Sequence, residues 1–349
     1  MSSLEEYIEK LDCADEAERS YAAEDIGYLN SADGVPALLR RLGEEPSRLV
    51  REAIFLALTR IDSDAAIEGA IGLLESDDPQ IRNQAVEVLR QKGARSIPFL
   101  KTVMRDGDKD LRKLVLDVLS EIHASGAEAI YQAALADQDL NLVITAVENL
   151  GKMRAGEFRS RIEDLLQSAA HPMLEVACLE ALVGIGHESS LAAIRRCFPD
   201  LAALPDFLLA SCLKALGALG SVTEFAEVAS LLPIRSPHLR PAMLSALIAI
   251  HPRCPSLEPG ELLLPSLQAV VEDGDAPLCR YKAVQVLGFW ATRDDVYSFL
   301  VSCLGSTERL VRIAAAESLR MTERPGWGAV LAARALEESD EEVLQALKR

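Results

Sequence analysis

Aromatic side chains are scarce in this chain and make up only 5% of its 349 residues. Its apolar positions are filled largely by Ala and Leu instead. Both residues have high helix propensity, and small side chains allow helices to approach each other closely. The composition therefore favours a fold of closely packed helices.

Long apolar runs are also missing, because no stretch of about 18 apolar residues occurs. The first residues are acidic and lack the basic and apolar blocks of a secretory signal. The seven cysteines are scattered and include no CxxC pair, which favours reduced thiols over a disulfide framework. These absences predict a cytoplasmic protein without a membrane partner.

Sequence motifs for common chemistry are absent as well. The chain has no Walker-type phosphate loop and no HExxH metal motif, and residues 184–186 (Gly-Ile-Gly) fall at a predicted helix end. Its five histidines are scattered, mostly at predicted helix ends; they are His123, His171, His187, His238 and His251. We therefore predict no catalytic residue, no metal site and no cofactor.

Basic side chains are fewer than acidic ones, and the formal net charge is −18. Residues 1–80 hold 19 acidic and 7 basic side chains, a net of −12, whereas residues 181–349 hold 20 and 16, a net of −4. Such a charge repels phosphate backbones and attracts basic groups. The balance predicts no nucleic-acid partner and favours a partner with basic side chains, although solubility alone would also explain it.

One apolar anchor position recurs along nearly the whole chain, at spacings of 30 to 40 residues. A period of this size indicates stacked repeats, in which each unit buries its apolar face only on its neighbours. The ten anchors are Ile26, Leu58, Leu89, Leu119, Leu150, Leu182, Leu216, Leu247, Leu287 and Leu319.

Residues 78–104 illustrate one repeat. Asp78 and Pro79 suit the first turn of a helix, and an apolar stripe at helical spacing leads to the anchor Leu89. Gly93 suits a helix end, and a second apolar stripe begins at Ile97. The pattern predicts two antiparallel helices per repeat.

Several repeats carry a Val-Arg or Ile-Arg pair followed by a small residue, as in Val50-Arg51 with Ala53, Ile81-Arg82 with Ala85, and Val311-Arg312 with Ala315. These motifs resemble the HEAT-like repeat family, in the short form of bacterial and archaeal proteins and of phycobilisome-lyase-type repeats. The resemblance implies an all-α, right-handed α-solenoid of about ten helical hairpins. We expect one solenoid over residues 1–349, with a cap at 1–16, repeats at 17–336 and a capping helix at 337–349.

Two irregularities interrupt the pattern. An arginine stands seven residues before the anchor in seven repeats, and the resemblance implies that it bonds loop carbonyls or acidic groups of adjoining repeats. This arginine is replaced in the middle repeats by Val143, Glu175 and Leu209. The Pro-rich segment 251–260 accounts for the spacing of 40 residues and is predicted to be a surface loop.

Repeat stacks of this kind display a concave wall made from the second helix of each hairpin. Positions six before, two before and two after each anchor should face that groove. The position two before the anchor is mostly acidic, and we expect its carboxylates to receive basic side chains, although helix propensity and solvation would also explain them. The candidate residues are Glu87, Asp117, Glu148 and Glu180.

The other two positions turn apolar from about the fifth repeat onward, and aromatics gather near the far end. Exposed apolar groups with an acidic flank are typical of peptide or helix recognition, although neighbouring turns could cover them. The predicted groove residues are Ile144, Val176, Tyr281, Phe289, Trp290, Ile313 and Met321.

These features predict a non-enzymatic scaffold or adaptor that holds a protein or peptide in its groove and modulates its activity or assembly. A bilin-lyase-like enzyme or a small-molecule-binding repeat protein is the alternative, because an apolar, aromatic groove end could also hold a tetrapyrrole. A structural spacer is a third possibility.

Overall fold

The computed structural model describes residues 3–122, 126–272, 275–322 and 324–348, and every regular element within these ranges is helical. Met1, Ser2, His123 and Arg349, which belong to predictions above, lie outside the described residues. The chain divides into two compact units, Met1–Met153 and Arg154–Arg349. Each unit consists of paired helices, and this confirms the prediction of an α-solenoid of helical hairpins.

The first unit begins with α1 (Leu4–Lys10), which packs on α2. Its other first helices are α3 (Val35–Glu44), α5 (Asp64–Leu73), α7 (Ile97–Asp106) and α9 (Glu128–Ala134). Its second helices, which carry the anchors, are α2 (Glu16–Leu29), α4 (Arg48–Arg60), α6 (Pro79–Lys92), α8 (Lys109–Ile122) and α10 (Leu140–Lys152).

The second unit repeats this order. Its first helices are α11 (Arg159–Ser168), α13 (Glu188–Cys197), α15 (Val222–Leu231), α17 (Leu263–Glu272), α19 (Asp294–Cys303) and α21 (Trp327–Ala335). Its second helices are α12 (Pro172–Ile185), α14 (Asp206–Leu219), α16 (Arg240–Ile250), α18 (Pro277–Leu287), α20 (Arg309–Arg320) and α22 (Glu341–Lys348). The last helix, α22, lies within residues 337–349, where a capping helix was expected.

Local sequence explains where the second helices begin. The carboxylate of Asp78 accepts a hydrogen bond of 2.8 Å from the Gln80 N–H, and Pro79 occupies the first turn of α6. Asp139 caps α10 in the same way through the Asn141 N–H at 2.9 Å. These caps satisfy backbone donors that have no partner inside the helix.

The residue after the anchor is often glycine, and in two repeats the packing leaves no room for a side chain there, while in a third the fit would be tight. A Cβ atom added at Gly27 would lie 2.8 Å from the Ala57 Cα, and one at Gly288 would lie 2.6 Å from the Ser318 Oγ. At Gly217 the same atom would lie 3.3 Å from the Ala246 Cα. Neighbouring second helices therefore approach backbone to backbone at these points.

The predicted arginine ladder is confirmed at most of its positions, whereas Arg82 donates to the Ser76 carbonyl in the turn before its own helix. Arg19 donates two hydrogen bonds to the Glu45 carboxylate at 2.9 and 3.0 Å. Arg112 reaches Asp137 at 2.9 Å, and Arg312 reaches Glu338 at 2.9 Å. Each bond joins a second helix to an acidic group 25 or 26 residues further along the chain, so the ladder ties adjoining repeats together.

Other arginines link the repeats where the ladder residue is lost. Arg195, on α13, donates to Glu224 of α15 at 2.9 Å. Arg235 donates to the Leu204 carbonyl at 2.7 Å and to Asp206 at 2.6 Å. Polar links between repeats therefore continue through the second unit from different positions of the repeat.

The Pro-rich segment 251–260 is largely exposed, in agreement with the surface loop predicted, but it is firmly attached. Arg253 donates to the carbonyls of Gly217 and Gly220 at 2.7 and 2.9 Å. Cys254 is buried, and the Trp290 indole donates to the Leu257 carbonyl at 2.7 Å. These bonds hold the segment against the neighbouring repeats.

Candidate interaction surface

We use the name second-helix face for the residues six before, two before and two after each anchor. Most of them are exposed or half-buried in both units, whereas all ten anchors are at most 1% exposed. Ser20 is an exception at 6% exposure, so the expectation that it faces the groove is wrong. The helical spacing thus separates a solvent-facing row from the buried seam.

The acidic residues of the first unit differ in how far they are already paired. Glu87 accepts hydrogen bonds from Arg90 at 2.5 and 2.7 Å and from Gln91 at 2.8 Å. These bonds, with that from Arg90 first, hold the pKa of Glu87 below its ordinary value. Glu148 is exposed and makes no ion pair with any described residue. Glu148 is therefore available to a partner, whereas Glu87 is largely engaged.

Asp117 lies in a more crowded environment. Surrounding protein raises the pKa of its carboxyl above the ordinary value, and the charges of Lys113 and Lys152 oppose that rise. The residue is nevertheless solvent-exposed. A basic group of a partner would stabilise the charged form of such a partly enclosed carboxylate.

Apolar groups of the first unit occur at both ends of its face. Ile144 is half-buried on α10. Tyr28 is 69% exposed with its ring under the Arg60 guanidinium at 4.3 Å, and Leu56 is 43% exposed. Sequence reasoning missed Tyr28 and Leu56 because the polar residues around them suggested a polar beginning, although both stand at face positions.

A hydrogen-bonded group links neighbouring second helices of the second unit. The Tyr281 hydroxyl donates to the Glu317 carboxylate at 3.0 Å and accepts from the Gln285 amide at 3.1 Å. Burial, with the Glu317 carboxylate next in size, raises the pKa of Tyr281 to about 12, so the phenol stays protonated. These two bonds therefore join Tyr281 and Gln285 of α18 to Glu317 of α20.

The predicted aromatic cluster is only partly exposed. Phe289 is half-buried and stacks on the His251 ring. Trp290 is 5% exposed, and its edge faces the Phe225 ring at a centroid distance of 6.1 Å. The prediction that Trp290 lines the groove is therefore wrong: it follows Phe289 by one residue, which turns it to the opposite side of the short 3-10 helix 288–290, into the core.

The remaining predicted residues of the second unit lie on exposed or half-buried positions. Val176 and Ile313 are half-buried, and Met321 is 83% exposed. Glu180 forms an ion pair with Lys214, which stands at the equivalent position of the next repeat. Met321 is therefore the most accessible apolar group of this face, and Glu180 is already partly neutralised.

Two buried thiols offer little nucleophilic character. Burial raises the pKa of Cys178 and of Cys212 to about 12, so both remain protonated at neutral pH. Within the described residues no group of three or more His, Cys, Asp or Glu side chains is placed to hold a metal ion. No described helix is both long and apolar enough to cross a lipid bilayer.

Comparisons with known proteins agree with this architecture. A family model of HEAT repeats matches residues 4–90 and 263–348. A chain in the solved complex in which Kap95p binding induces the switch loops of RanGDP to adopt the GTP-bound conformation is similar in structure, with a TM-score of 0.64 and 12% identity. The similarity covers 99% of the present chain and 56% of that one.

No curated protein sequence matches this chain. At 12% identity the structural similarity shows the fold alone. Together with the two matched regions and the stacked helical pairs, it shows that this chain is a HEAT-repeat protein with an α-solenoid fold.

Proposed function

We propose that this chain is a non-enzymatic, cytoplasmic scaffold that holds a partner protein or peptide on its second-helix face and modulates the partner's activity or assembly. The observation that carries the proposal is the surface formed by Tyr281, Gln285 and Glu317, with Ile313 and Met321 beside it in the repeat order. Ordered aromatic and apolar groups at the surface are what protein recognition uses.

The packing of the helices supports the choice of this face. In each unit the second helices of neighbouring repeats contact one another over more residues than the first helices do. Closer packing on one side is expected for the inner side of a curved stack. Within each unit, the second-helix face is then the concave one.

The charge of the face favours a partner with basic groups. Glu148 and Asp117 are exposed carboxylates of the first unit, and neither forms an ion pair with any described residue. Each can receive a Lys or Arg side chain without breaking an existing ion pair. The same charges disfavour nucleic acid.

The structural neighbour supports this kind of function. Kap95p binds RanGDP and induces its switch loops to adopt the GTP-bound conformation. A protein of similar fold can thus alter the state of the protein it holds. We extend to the present chain only the general idea of a scaffold that changes its partner.

Two exposed groups test the proposal. We would replace Met321 by Ser in one variant and Glu148 by Lys in another, identify the native partner by affinity purification, and measure its binding to purified protein. The proposal predicts that each variant binds at least about fivefold more weakly, since Met321→Ser loses apolar contact and Glu148→Lys repels basic groups. Leu336→Ser is the control, because Leu336 is 90% exposed but lies at the end of α21, a first helix.

Unchanged thermal unfolding is expected for all three variants, because the substituted side chains are exposed. If the partner bound both face variants as tightly as wild type, the second-helix face would not be its binding site.

A further inference from the structure

An apolar cleft lies beside the Pro-rich segment, and its lining includes no residue of the second-helix face. Its volume is about 470 Å³, which falls within the range of ligand-binding clefts in proteins. We call it the insertion cleft. Its lining includes Phe225 of α15, Ile234 after that helix, and Leu257, Glu258, Glu261 and Leu262 of the Pro-rich segment and the turn that follows it.

The walls of the insertion cleft are fixed. Leu257 is held by the hydrogen bond from the Trp290 indole, and Leu263 is 4% exposed. Phe225 is 2% exposed and meets the Trp290 ring edge to face. The cleft is therefore preformed, so a ligand would not pay the cost of ordering its wall.

Two large apolar side chains of the cleft face solvent. Ile234 is 65% exposed and Leu262 is 73% exposed. A single exposed apolar residue is ordinary, but two bulky ones that line the same apolar cleft form a patch that an interaction would cover. The side chains that would cover them must also be apolar.

The charged residues that line the cleft are both acidic, Glu258 and Glu261. Neither forms an ion pair with a described residue, although Glu258 acts at longer range on Arg293. Arg235, the neighbour of Ile234 in sequence, is engaged by Leu204 and Asp206 and does not neutralise them. Charge complementarity therefore requires basic groups on the ligand.

The rim also offers free backbone groups. The N–H groups of Glu258, Gly260 and Glu261 donate no hydrogen bond to any described residue. The segment around them has no regular secondary structure. An extended peptide can pair with such groups, as added strands do in other peptide-binding proteins.

We propose that the insertion cleft binds an extended peptide segment of a partner, with bulky apolar side chains that alternate with Lys or Arg. The apolar side chains would cover Ile234 and Leu262, and the basic ones would face Glu258 and Glu261. Because the cleft is built from α15, α17 and the Pro-rich segment, this site is separate from the second-helix face and does not depend on its function.

A panel of fluorescein-labelled heptapeptides tests the proposal, with binding to the full-length protein followed by fluorescence anisotropy. One set alternates Leu or Phe with Lys, a second alternates them with Glu, and a third replaces the apolar residues by Ser. We expect binding of the first set only. The double variant Ile234→Ser/Leu262→Ser should weaken that binding at least about tenfold.

Two further variants refine the test. Glu258→Gln/Glu261→Gln should weaken binding about threefold or more and reduce its dependence on salt. Leu336→Ser, which removes an equally exposed apolar group outside the cleft, should bind the peptide as wild type does.

Three outcomes would overturn the proposal. The first is that no member of the Lys set binds at about 1 mM, and the second is equal binding by the Ile234→Ser/Leu262→Ser variant. The third is that wild type binds no peptide but sediments as a dimer, and that the double variant sediments as a monomer. That result would assign the cleft to a second copy of the chain. Because the second-helix face is tested at Met321 and Glu148 with the native partner, failure at the cleft is distinguishable from failure at that face.

Discussion

The imidazole ring of His251 lies parallel to the phenyl ring of Phe289, with centroids 3.6 Å apart and planes 5° apart. His251 begins the Pro-rich segment, and Phe289 belongs to the second-helix face. The Nε2 atom of His251 is buried and has no hydrogen-bond partner among the described residues. The stack therefore holds the imidazole where no described residue accepts a hydrogen bond from its Nε2 atom.

The first prediction concerns acid sensitivity near pH 6. Burial lowers the pKa of His251 from its ordinary value of 6.5, because the charged form is poorly solvated there. The unfolded chain then takes up a proton before the folded chain does, so stability is lost as pH falls below about 6.5 toward the folded pKa. The melting temperature of wild type should fall between pH 7.5 and 5.5.

His251→Phe isolates that effect, because it keeps a ring over Phe289 and removes the titrating group. The variant should show a smaller fall in melting temperature over the same pH interval, measured by circular dichroism. Phe225, Phe289 and Trp290 surround the ring and carry no charge that could replace the effect. An identical pH dependence in the two proteins would contradict the assignment to His251.

A second prediction concerns Glu45, whose side chain is completely buried between Arg19 and Arg41. Burial acts to raise the pKa of Glu45, but Arg19, the Ser47 N–H and Arg41 outweigh it and lower the pKa to about 2. The stabilisation by the ionised carboxylate is therefore present above about pH 4.5 and is lost as pH falls toward 2.

Glu45→Gln should lower the free energy of unfolding by about 3 kcal/mol at pH 7, since it leaves buried arginine unpaired. The difference from wild type should shrink between pH 4.5 and the lowest pH at which the protein still folds, as urea denaturation would show. Glu44→Gln is the matched control, because Glu44 is exposed and its replacement should change stability by less than about 0.5 kcal/mol. A difference for Glu45→Gln that stayed constant with pH would contradict the pKa argument.

The third prediction tests the close approach of the second helices. Gly27→Ala would place a Cβ atom 2.8 Å from the Ala57 Cα, and the backbone would have to move. Overpacking costs about 1–3 kcal/mol, which exceeds the gain of about 1 kcal/mol in helix propensity. We expect a net loss of about 1 kcal/mol in the free energy of unfolding.

Gly43→Ala is the control for the same substitution, because a Cβ atom at Gly43 would meet no atom within 4 Å. It should stabilise the protein by up to about 1 kcal/mol, since alanine favours the helix. Chemical denaturation would measure the free energy of unfolding of both variants. If Gly27→Ala stabilised the protein as much as Gly43→Ala does, the helices would accommodate a Cβ at Gly27 without strain.

Much of the fold follows from local sequence, since the spacing of the anchors and the Asp-Pro cap at residues 78–79 are enough to place a second helix. The positions of the ladder arginines follow from the same spacing, because Arg19 and Arg312 stand at equal distances from their anchors, but their bonds to adjoining repeats were implied only by the resemblance to HEAT-like repeats. The links through Arg195 and Arg235 were not predictable from the sequence. These residues lie outside the repeat pattern, and their bonds depend on which acidic group the neighbouring repeat brings close.

The surface was less predictable than the core. Helical periodicity assigns Phe289 and Met321 to the solvent-facing side of their helices. It cannot show that Trp290 turns into the core at the short 3-10 helix that follows α18. It also cannot show that the Pro-rich segment encloses a cleft with α15, because that contact joins residues about 30 apart. Irregular segments depend on tertiary contacts that no repeat pattern contains.

The last prediction concerns the bond that holds the Pro-rich segment. Trp290→Phe keeps an aromatic ring in the core but removes the N–H that donates to the Leu257 carbonyl at 2.7 Å. Loss of this bond should weaken the local structure by about 1 kcal/mol. Amide hydrogen exchange of residues 254–263, measured by mass spectrometry, should become roughly fivefold faster, since opening becomes easier by that amount.

Trp327→Phe is the control, because Trp327 is half-exposed at the start of α21 and its substitution leaves the Pro-rich segment untouched. If the insertion cleft depends on a preformed wall, Trp290→Phe should also bind the Lys-containing heptapeptides more weakly than Trp327→Phe does, because the peptide must then order the segment. Equal exchange rates in the two variants would mean that Arg253 and Cys254 hold the segment without the indole. Those two residues would then maintain the shape of the cleft.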